Sequence, residues 1–541
     1  MMISILKHYK LDIPKILISI SYFFALYLFI YIFIAHENYI YSFDYGQHYA
    51  EFIQIHDLFR QNGFIYTLQK VLFTIQNEDY NLFSALLLSP FSFISTSRLS
   101  YLFAIVTLFY LPSYYLFLKI ISFFKPNLKT IPYFLITSLF FLSPTLLTPI
   151  LRNQSSIDGL IPILLILYLY FFQIRQKQLN YRLILPISFL LTLPPLLHRW
   201  YLPFSLSFIF LSFIFSFFTF HRQFLKIVFY YFLLLISTSL IFLVISNNLW
   251  QRLFLVDYSV IYHHYQLNSN FLFSINTTLS TIGYSVIILF LISLYFLIKR
   301  KSTRNTSLFL GTLFIINLCL FLHIQGMNVH HYYLIIIPIL LITSLYISTA
   351  KLSPLLSLLL FVILLGNFIY PVIQGQDNSQ NSKIFFLSSQ DSTPWHFSDN
   401  SVILKIISDL SVTNFNKIYI LSPDLWLNAS LFKYYTCYFN QQYISLCPKI
   451  TDVTYYISTD GFPSAFFQSD YFLFNPDTLN LNSDPAMKNL ATFIIQHPQY
   501  YQAQKYYLFP KITTITLYHL IKTPSSSDFD QLTQSLLKNY E

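Results

Sequence analysis

The sequence predicts a mainly α-helical, polytopic membrane protein of about eleven spans, followed by a small α/β domain on the external side. Three observations support this prediction. Hydrophobic residues make up 55% of the 541 residues and charged residues only 10%, whereas a soluble protein carries about 25% charged residues. The apolar residues fall in blocks of membrane-spanning length up to residue 374 and not beyond it. Basic residues concentrate on alternate loops between these blocks.

The span predictions follow from helix geometry. An α-helix rises 1.5 Å per residue, so about 20 apolar residues cross the hydrocarbon core. The first block is too long for a cleavable signal peptide and lacks a good cleavage site, so we expect it to remain as an anchor. A shorter apolar segment, 82–95, is predicted to be re-entrant or interfacial, with a twelfth span as the alternative. The predicted spans lie near 14–34, 99–118, 131–150, 159–174, 183–197, 201–219, 225–246, 282–298, 308–325, 333–349 and 354–373.

The distribution of charge predicts the orientation. One set of loops carries sixteen Lys and Arg residues with a single acid, Asp12, and the alternate set carries six basic residues with eight acids. The positive-inside rule therefore places the N-terminus in the cytoplasm. An odd number of spans, eleven, then places the C-terminal domain on the external side of the plasma or inner membrane. The net charge of +10 thus belongs largely to cytoplasmic loops facing membrane lipids, which argues against a nucleic-acid partner. No glycine-rich phosphate motif supports cytosolic nucleotide chemistry.

Two domains are predicted: a transmembrane catalytic domain, residues 1–374, and an external α/β domain, residues 375–541. The long first external loop, 35–98, is expected to hold two interfacial amphipathic helices at about 47–60 and 64–75. In the second domain, Cys437 and Cys447 lie close in sequence, and an oxidising compartment would permit a disulfide, which the sequence leaves open. Strands are predicted at 417–421, 452–457 and 512–518, and helices at 400–411, 426–439 and 486–496.

Polar residues at the external ends of the spans are the candidate functional residues. Asp44 follows the first span, and Asp158 stands at the mouth of the fourth. Structural alternatives are helix capping for the two Asp residues, lipid anchoring for Arg199, interfacial contacts for the histidines and solvated loop charge for Glu78 and Asp79. The candidates, in chain order, are Asp44, Glu78, Asp79, Arg152, Asp158, Arg199, His330 and His331.

The layout of these residues resembles one family of membrane enzymes. An Asp heads the first external loop, a second Asp lies in the second loop, His330-His331-Tyr332-Tyr333 precedes a late span containing Pro338, and an external domain ends the chain. This arrangement is similar to the glycosyltransferases of the C-type fold (GT-C) that use polyprenyl-phosphate sugars, such as protein O-mannosyltransferases and the aminoarabinose transferases acting on lipid A. The resemblance covers nearly the whole chain. In many relatives the first loop carries adjacent acids, whereas here Tyr45 follows Asp44 and the pair Glu78-Asp79 comes later.

The resemblance implies transfer of a hexosyl or pentosyl group from a polyprenyl-phosphate donor to a glycan, lipid or protein acceptor, with inversion. Asp44 would be the general base that takes the proton of the acceptor, and Asp158 the second carboxylate of the site. We expect the two carboxylates to line one cavity, roughly within 12 Å of each other. Cations must meet the charge of the leaving phosphate, and a divalent metal ion is an alternative source of that charge. The implied substrate-binding residues are Arg199, Arg152, His330, His331, Glu78 and Asp79.

Two other classes of function remain as alternatives. A transporter or flippase of lipid-linked saccharides predicts charged sites or broken helices near the middle of the membrane, and the predicted spans are almost free of charge. A polysaccharide polymerase or ligase usually places its large loop late in the chain, whereas here the first external loop is the long one.

Overall fold

The computed structural model describes residues 12–36, 41, 43–78, 81–220, 223–255, 271–324, 327, 329–373, 387–388, 400–422, 427–451, 462–476, 485–509 and 513–538. The chain divides into two compact units. The first comprises Met1–His36 and Ile55–Pro394, and the second comprises Glu37–Gln54 and Trp395–Glu541. The segment around Asp44 therefore groups with the C-terminal residues, although the sequence analysis assigns it to the transmembrane domain.

Helices account for most of the chain up to residue 373. Two of them depart from helical geometry internally: α2 at Gly63, where φ is 80°, and α10 at Ser246, where φ is −151°. In order they are α1 (Ile13–Ala35), α2 (Phe43–Asn77), α3 (Phe83–Ser92), α4 (Arg98–Phe124), α5 (Thr130–Phe141), α6 (Pro144–Leu151), α7 (Ser156–Gln176), α8 (Tyr181–Leu197), α9 (Arg199–Thr219), α10 (Phe224–Leu255), α11 (Phe271–Ile282), α12 (Tyr284–Lys299), α13 (Arg304–Ile324), α14 (Val329–Thr349) and α15 (Pro354–Ile373).

Among the described residues, seven helices are long and apolar enough to cross a membrane: α1, α4, α7, α9, α10, α13 and α14. The count rises to nine if the bent pairs α5–α6 and α11–α12 each form one span, and the bends are 40° and 93°. Three shorter apolar helices are α3, α8 and α15. Every predicted span thus corresponds to an apolar helix or helix pair, while the number of eleven complete crossings stays a prediction.

The surface of these helices is apolar. Large hydrophobic side chains such as Phe24, Leu225 and Val244 are 69%, 78% and 82% exposed, far more than water-facing surfaces usually tolerate in contiguous patches. Contacts between helices instead include hydroxyl pairs, for example Tyr22 Oη with Ser138 Oγ at 2.6 Å. Small polar side chains that bond across helices are typical of membrane bundles. The first unit is therefore compatible with a multi-pass membrane protein.

The part of the segment 35–98 that lies in the first unit is packed rather than loose. Ile55 and Val71 of α2 and Leu82, directly before α3, belong to a core cluster that also contains Leu196 of α8 and Phe242 of α10. The side-chain amide of Asn81 donates to the carbonyl of Leu196 at 2.7 Å. The predicted interfacial helices at 47–60 and 64–75 are thus the two stretches of α2 on either side of Gly63.

The second unit contains a four-stranded mixed sheet with strand order β1-β2-β4-β3. β1 (Ile418–Leu421) pairs in parallel with β2 (Tyr471–Phe474), and β4 (Thr513–Leu520) pairs antiparallel with both β2 and β3 (Tyr501–Phe509). Alternate residues of β1 enter separate cores on the two faces: Ile418 and Ile420 on one, Tyr419 and Leu421 on the other. The helices are α16 (Asn400–Val412) and α17 (Ala429–Tyr434) on the first face, and α18 (Pro485–Gln496) and α19 (Ser526–Leu537) on the second.

The prediction of a small α/β unit near the C-terminus matches this sheet and its helices. Predicted strands 417–421 and 512–518 are β1 and β4, whereas 452–457 lies outside the described residues. Two strands were not predicted from the sequence: β2 is only four residues long, and in β3 Gln and Lys residues weaken the apolar pattern. Cys437 and Cys447 form a disulfide, a pairing that the sequence alone left open.

Candidate functional site

A group of polar residues, six of them buried and two, Arg98 and Arg199, half-buried, lies among the apolar helices of the first unit. We call it the polar cluster: Arg98, Arg152, Asn153, Asp158, His198, Arg199, His330 and His331. Its centre is the short connection between α6 and α7, residues 152–158. Every residue of this connection is buried, and Asn153 takes a left-handed backbone conformation with φ at 65°. Asn tolerates that conformation better than most residues, which lets the chain turn sharply between the two helices.

Two buried tyrosines hold the backbone of this connection. The hydroxyl of Tyr101 donates to the carbonyl of Asn153 at 2.8 Å, and that of Tyr201 donates to the carbonyl of Ser156 at 2.7 Å. Arg98 adds a bond from Nε to the side-chain oxygen of Asn153 at 2.6 Å and another from Nη2 to the carbonyl of Leu151 at 2.7 Å. Buried backbone carbonyls need such partners, so α4 and α9 fix the path of the connection.

Asp158 lies in the first turn of α7 and is 2% exposed. The hydroxyl of Ser84, on α3, donates to its Oδ2 atom. Nε2 of His198 lies 3.2 Å from its Oδ1 atom, within ion-pair distance but without the alignment of a hydrogen bond. A buried carboxylate requires such compensation. Segments distant in sequence therefore meet at this carboxylate.

The start of α7 also depends on a close approach. A Cβ atom added to Gly159 would lie 2.2 Å from Cε2 of Tyr201, so the ring of Tyr201 packs directly on the backbone that carries Asp158. The same ring stacks on Trp200, with centroids 3.9 Å apart. Glycine at position 159 thus permits the packing that brings the loop between α8 and α9 against the connection between α6 and α7.

Trp200 joins the loop between α8 and α9 to the histidine pair. Its ring centroid lies 5.3 Å from those of both His330 and His331, which are 4.0 Å from each other. Phe321 of α13 packs on His331 at 4.5 Å. Both histidines are 6% exposed. The predicted site residues Asp158, His330 and His331 are therefore linked through the loop that carries Arg199.

The polar cluster gathers helix N-termini as well as cations. Arg98 begins α4, Asp158 lies in the first turn of α7, Arg199 begins α9 and the two histidines lie at the start of α14. Each helix N-terminus carries unsatisfied N–H groups and about half a positive charge. With three arginines against one carboxylate among its members, the cluster carries an excess of positive charge. Chemically, it suits an anionic group such as a phosphate.

Asp44 belongs to the second unit and lies in the first turn of α2. The helix begins at Phe43 rather than near 47, so Asp44 lies inside its first turn rather than in front of it, where a carboxylate interacts favourably with the helix dipole. About two turns further, Glu51 accepts a bond from Gln47 Nε2 at 3.0 Å and lies 3.3 Å from Nδ1 of His48. The expected approach of Asp44 to Asp158 stays a prediction.

The acids later in the first loop have a different environment. Glu78 is exposed and lies 3.9 Å from Nζ of Lys70, the geometry of a solvated ion pair. Asp79 lies outside the described residues. Across the described residues, no group of three or more His, Cys, Asp or Glu side chains is arranged to hold a metal ion. A substrate contact by Glu78 or Asp79 stays a prediction.

No pattern in the sequence predicts Ser84, Arg98 or Trp200 as site residues. A single serine in an apolar helix does not alter the hydrophobic pattern. An arginine at the position of Arg98 is typical of the charged end of a membrane span. His198 stood beside the selected Arg199, and its position in a loop of only a few residues between two spans was the available signal. Burial and contact between distant loops, rather than residue type, identify these members.

A comparison with protein-family models finds none that matches this sequence, and a comparison with curated proteins likewise finds no match.

Proposed function

We propose that the protein is a membrane glycosyltransferase that moves a sugar from a polyprenyl-phosphate donor to an external acceptor with inversion. The observation that supports this most is the polar cluster, in which the segments that carry three arginines, three histidines and four helix N-termini converge with the segment that carries the buried Asp158. Apolar helices surround that convergence, which suits a donor with an anionic head on a hydrocarbon chain. In this proposal the polar cluster binds the phosphate of the donor.

The proposed reaction is a single displacement. The acceptor hydroxyl or amine gives its proton to the carboxylate of Asp44 as its oxygen or nitrogen forms a bond to the anomeric carbon. The bond from that carbon to the phosphate oxygen breaks, and the phosphate leaves with the electron pair. Arg152 and Arg199 oppose the growing negative charge, with His330 and His331 beside them. Asp158 orients His198 at the same end of the helices.

The orientation proposed for the enzyme is N-terminus inside and C-terminal unit outside. The uneven distribution of basic residues supports it. The disulfide between Cys437 and Cys447 also supports it, because disulfides persist mainly in oxidising compartments. Glycan, lipid or protein acceptors on the external side of the cell or inner membrane would then reach Asp44.

Binding of the common product tests the donor assignment without knowledge of the sugar. Polyprenyl phosphate is released whatever sugar is transferred, and a ligand at 100 times its Kd raises the free energy of unfolding by about 2.7 kcal/mol. We expect it to raise the melting temperature of the purified protein, and uncharged polyprenol of equal length to have little effect. Arg199→Gln should abolish the difference. Equal stabilisation by polyprenol and polyprenyl phosphate would contradict a phosphate site.

Turnover tests the chemistry. Purified protein in liposomes is mixed with radiolabelled polyprenyl-phosphate sugars and external acceptors, and transfer is compared with that by Asp44→Asn. The Asn variant keeps the shape of the side chain but cannot accept the proton. Loss of transfer with retained polyprenyl phosphate binding is the expected result, whereas equal transfer by both proteins would exclude Asp44 as the base.

A transporter or flippase of lipid-linked saccharides is the second candidate, and the bent helix pairs favour it. Discontinuous helices form substrate sites in many transporters, and α11 and α12 meet at 93°. However, α12 has 16 residues and rises about 24 Å by itself, so this bend lies near the end of a span. A flippase would move labelled lipid across liposomes equally well with Asp44 or Asn at position 44.

A further inference from the structure

The start of α2 rests on a disulfide-linked segment of the C-terminal part of the chain, within the second unit. The segment comprises residues 434–449, and we call it the clasp. It contains the end of α17, a π-helical turn at Tyr435–Phe439 and a 3₁₀ helix at Gln441–Lys449. The disulfide from Cys437 to Cys447 joins the π turn to the 3₁₀ helix.

Two contacts place the clasp on one face of α2. The ring of Phe439 stacks on that of Tyr49, with centroids 4.9 Å apart and planes inclined by 26°. One turn earlier, a Cβ atom at Gly46 would lie 2.6 Å from Cδ2 of Tyr434 and 2.6 Å from the carbonyl oxygen of Tyr41. Residues three apart in a helix share a face. The clasp therefore contacts α2 at positions two and five residues after Asp44, within the first two turns of this helix.

The clasp is in turn anchored to the sheet of the second unit. Leu446 of the clasp, and Phe432 two residues before it, are buried in the core cluster that contains Ile418 and Ile420 of β1. Ile450, directly after the clasp, forms a parallel bridge with Ile418, and the amide of Asn440 donates to the hydroxyl of Tyr435 at 3.3 Å. A continuous path of packed groups therefore leads from β1 to the turn that carries Asp44.

We propose that the clasp is the device that positions Asp44, with Tyr434 and Phe439 as positioning residues and the disulfide as the link that keeps them in place. The inference rests on the proposed role of Asp44 as the base and extends it by giving the C-terminal unit a task. The activity of the enzyme then depends on the oxidation state of two cysteines that touch no substrate. Reduction to two thiols, by an external dithiol that is itself oxidised to its disulfide, releases the 3₁₀ helix from the π turn.

Hydrogen–deuterium exchange of the full-length protein in detergent tests the positioning directly. Loss of a stacked aromatic pair corresponds to about 2- to 10-fold in a local equilibrium. We therefore expect Phe439→Ala, and separately the double variant Cys437→Ser with Cys447→Ser, to speed exchange of residues 43–53 by that factor. Phe439→Tyr should restore protection because it keeps the ring. The matched control is Phe462→Ala, which removes a stacked pair with Phe467 elsewhere in the unit, at 5.7 Å, and should leave residues 43–53 unchanged.

Transfer activity tests the consequence. A displacement of a reacting group by about 1 Å can cost about 10²-fold, so Phe439→Ala should lower kcat at least about tenfold. Because it acts through Asp44, it should cause no further loss in Asp44→Asn, whereas independent effects would multiply. Phe439→Leu, which keeps most of the volume, serves if the Ala variant does not fold, and dithiol treatment of the wild-type protein tests the disulfide without substitution.

The outcomes separate the clasp from the proposed function. Faster exchange in a protein that transfers no sugar would support the contact of the clasp with the start of α2. It would contradict the proposed glycosyltransferase function. Unchanged exchange of residues 43–53 in the Phe439 variants and after reduction would overturn the clasp whatever the activity. Faster exchange with unchanged kcat, in a protein that Asp44→Asn inactivates, would also overturn it as a positioning device.

Discussion

The contact between Asp158 and His198 should appear as a coupling free energy in a double-mutant cycle. The perturbations are Asp158→Asn, His198→Ala and both together. Nε2 and Oδ1 are 3.2 Å apart, so a full ion pair at an effective dielectric constant of about 20 would be worth about 5 kcal/mol. A neutral imidazole that reorients to donate an aligned hydrogen bond to the carboxylate would contribute about 1.5–3 kcal/mol. We therefore expect a coupling energy between about 1.5 and 5 kcal/mol.

The assay is unfolding by denaturant in detergent micelles, followed by tryptophan fluorescence, with the free energy of unfolding determined for each variant. The cycle cancels the cost of removing each partner separately. A control cycle pairs His198→Ala with Ser89→Ala, whose hydroxyl bonds within its own helix to the carbonyl of Leu86 at 2.7 Å. A coupling of less than about 0.5 kcal/mol for Asp158 and His198 would refute the reasoning, because neighbouring charges that interact cannot be additive.

The remaining predictions concern chemistry, donor binding, packing and orientation. Asp44→Asn should fold and bind polyprenyl phosphate but lose at least about a hundredfold in transfer, measured with labelled donor, since a general base contributes about 10²–10⁴-fold; near-normal transfer would leave Asp44 a structural role. Arg199→Lys keeps the charge but loses the bidentate fork, so the Kd for polyprenyl phosphate should rise several-fold without loss of folded protein. Gly159→Ala should lower the free energy of unfolding by about 1–3 kcal/mol, because the added Cβ atom would overlap the Tyr201 ring. The control Gly311→Ala should change it less, because the nearest atom to its added Cβ is in the flexible side chain of Leu294, at 3.3 Å. Reporter enzymes fused after residue 374 should be active only outside the cytoplasm, and cytoplasmic activity would reverse the proposed orientation.

The local composition of the chain determined the helices of the first unit. Each predicted span coincides with an apolar helix or helix pair because a stretch such as 14–34 has no polar surface to offer water and satisfies its backbone internally as a helix. The same reasoning found Asp158, which stands where an apolar block begins. It also found β1, whose four residues are all apolar and are buried on both faces of the sheet.

Contacts between distant segments were decided only by the tertiary structure. Ser84 and His198 meet at Asp158 although they lie 74 and 40 positions from it in the chain, and the sequence around Ser84 reads simply as an apolar helix. The grouping of residues 37–54 with the C-terminal unit likewise follows from Gly46 and Tyr49 packing on Tyr434 and Phe439. Periodicity reports which face of a helix is apolar, but it carries no information on which partner covers that face, because any apolar surface of suitable shape provides the same burial.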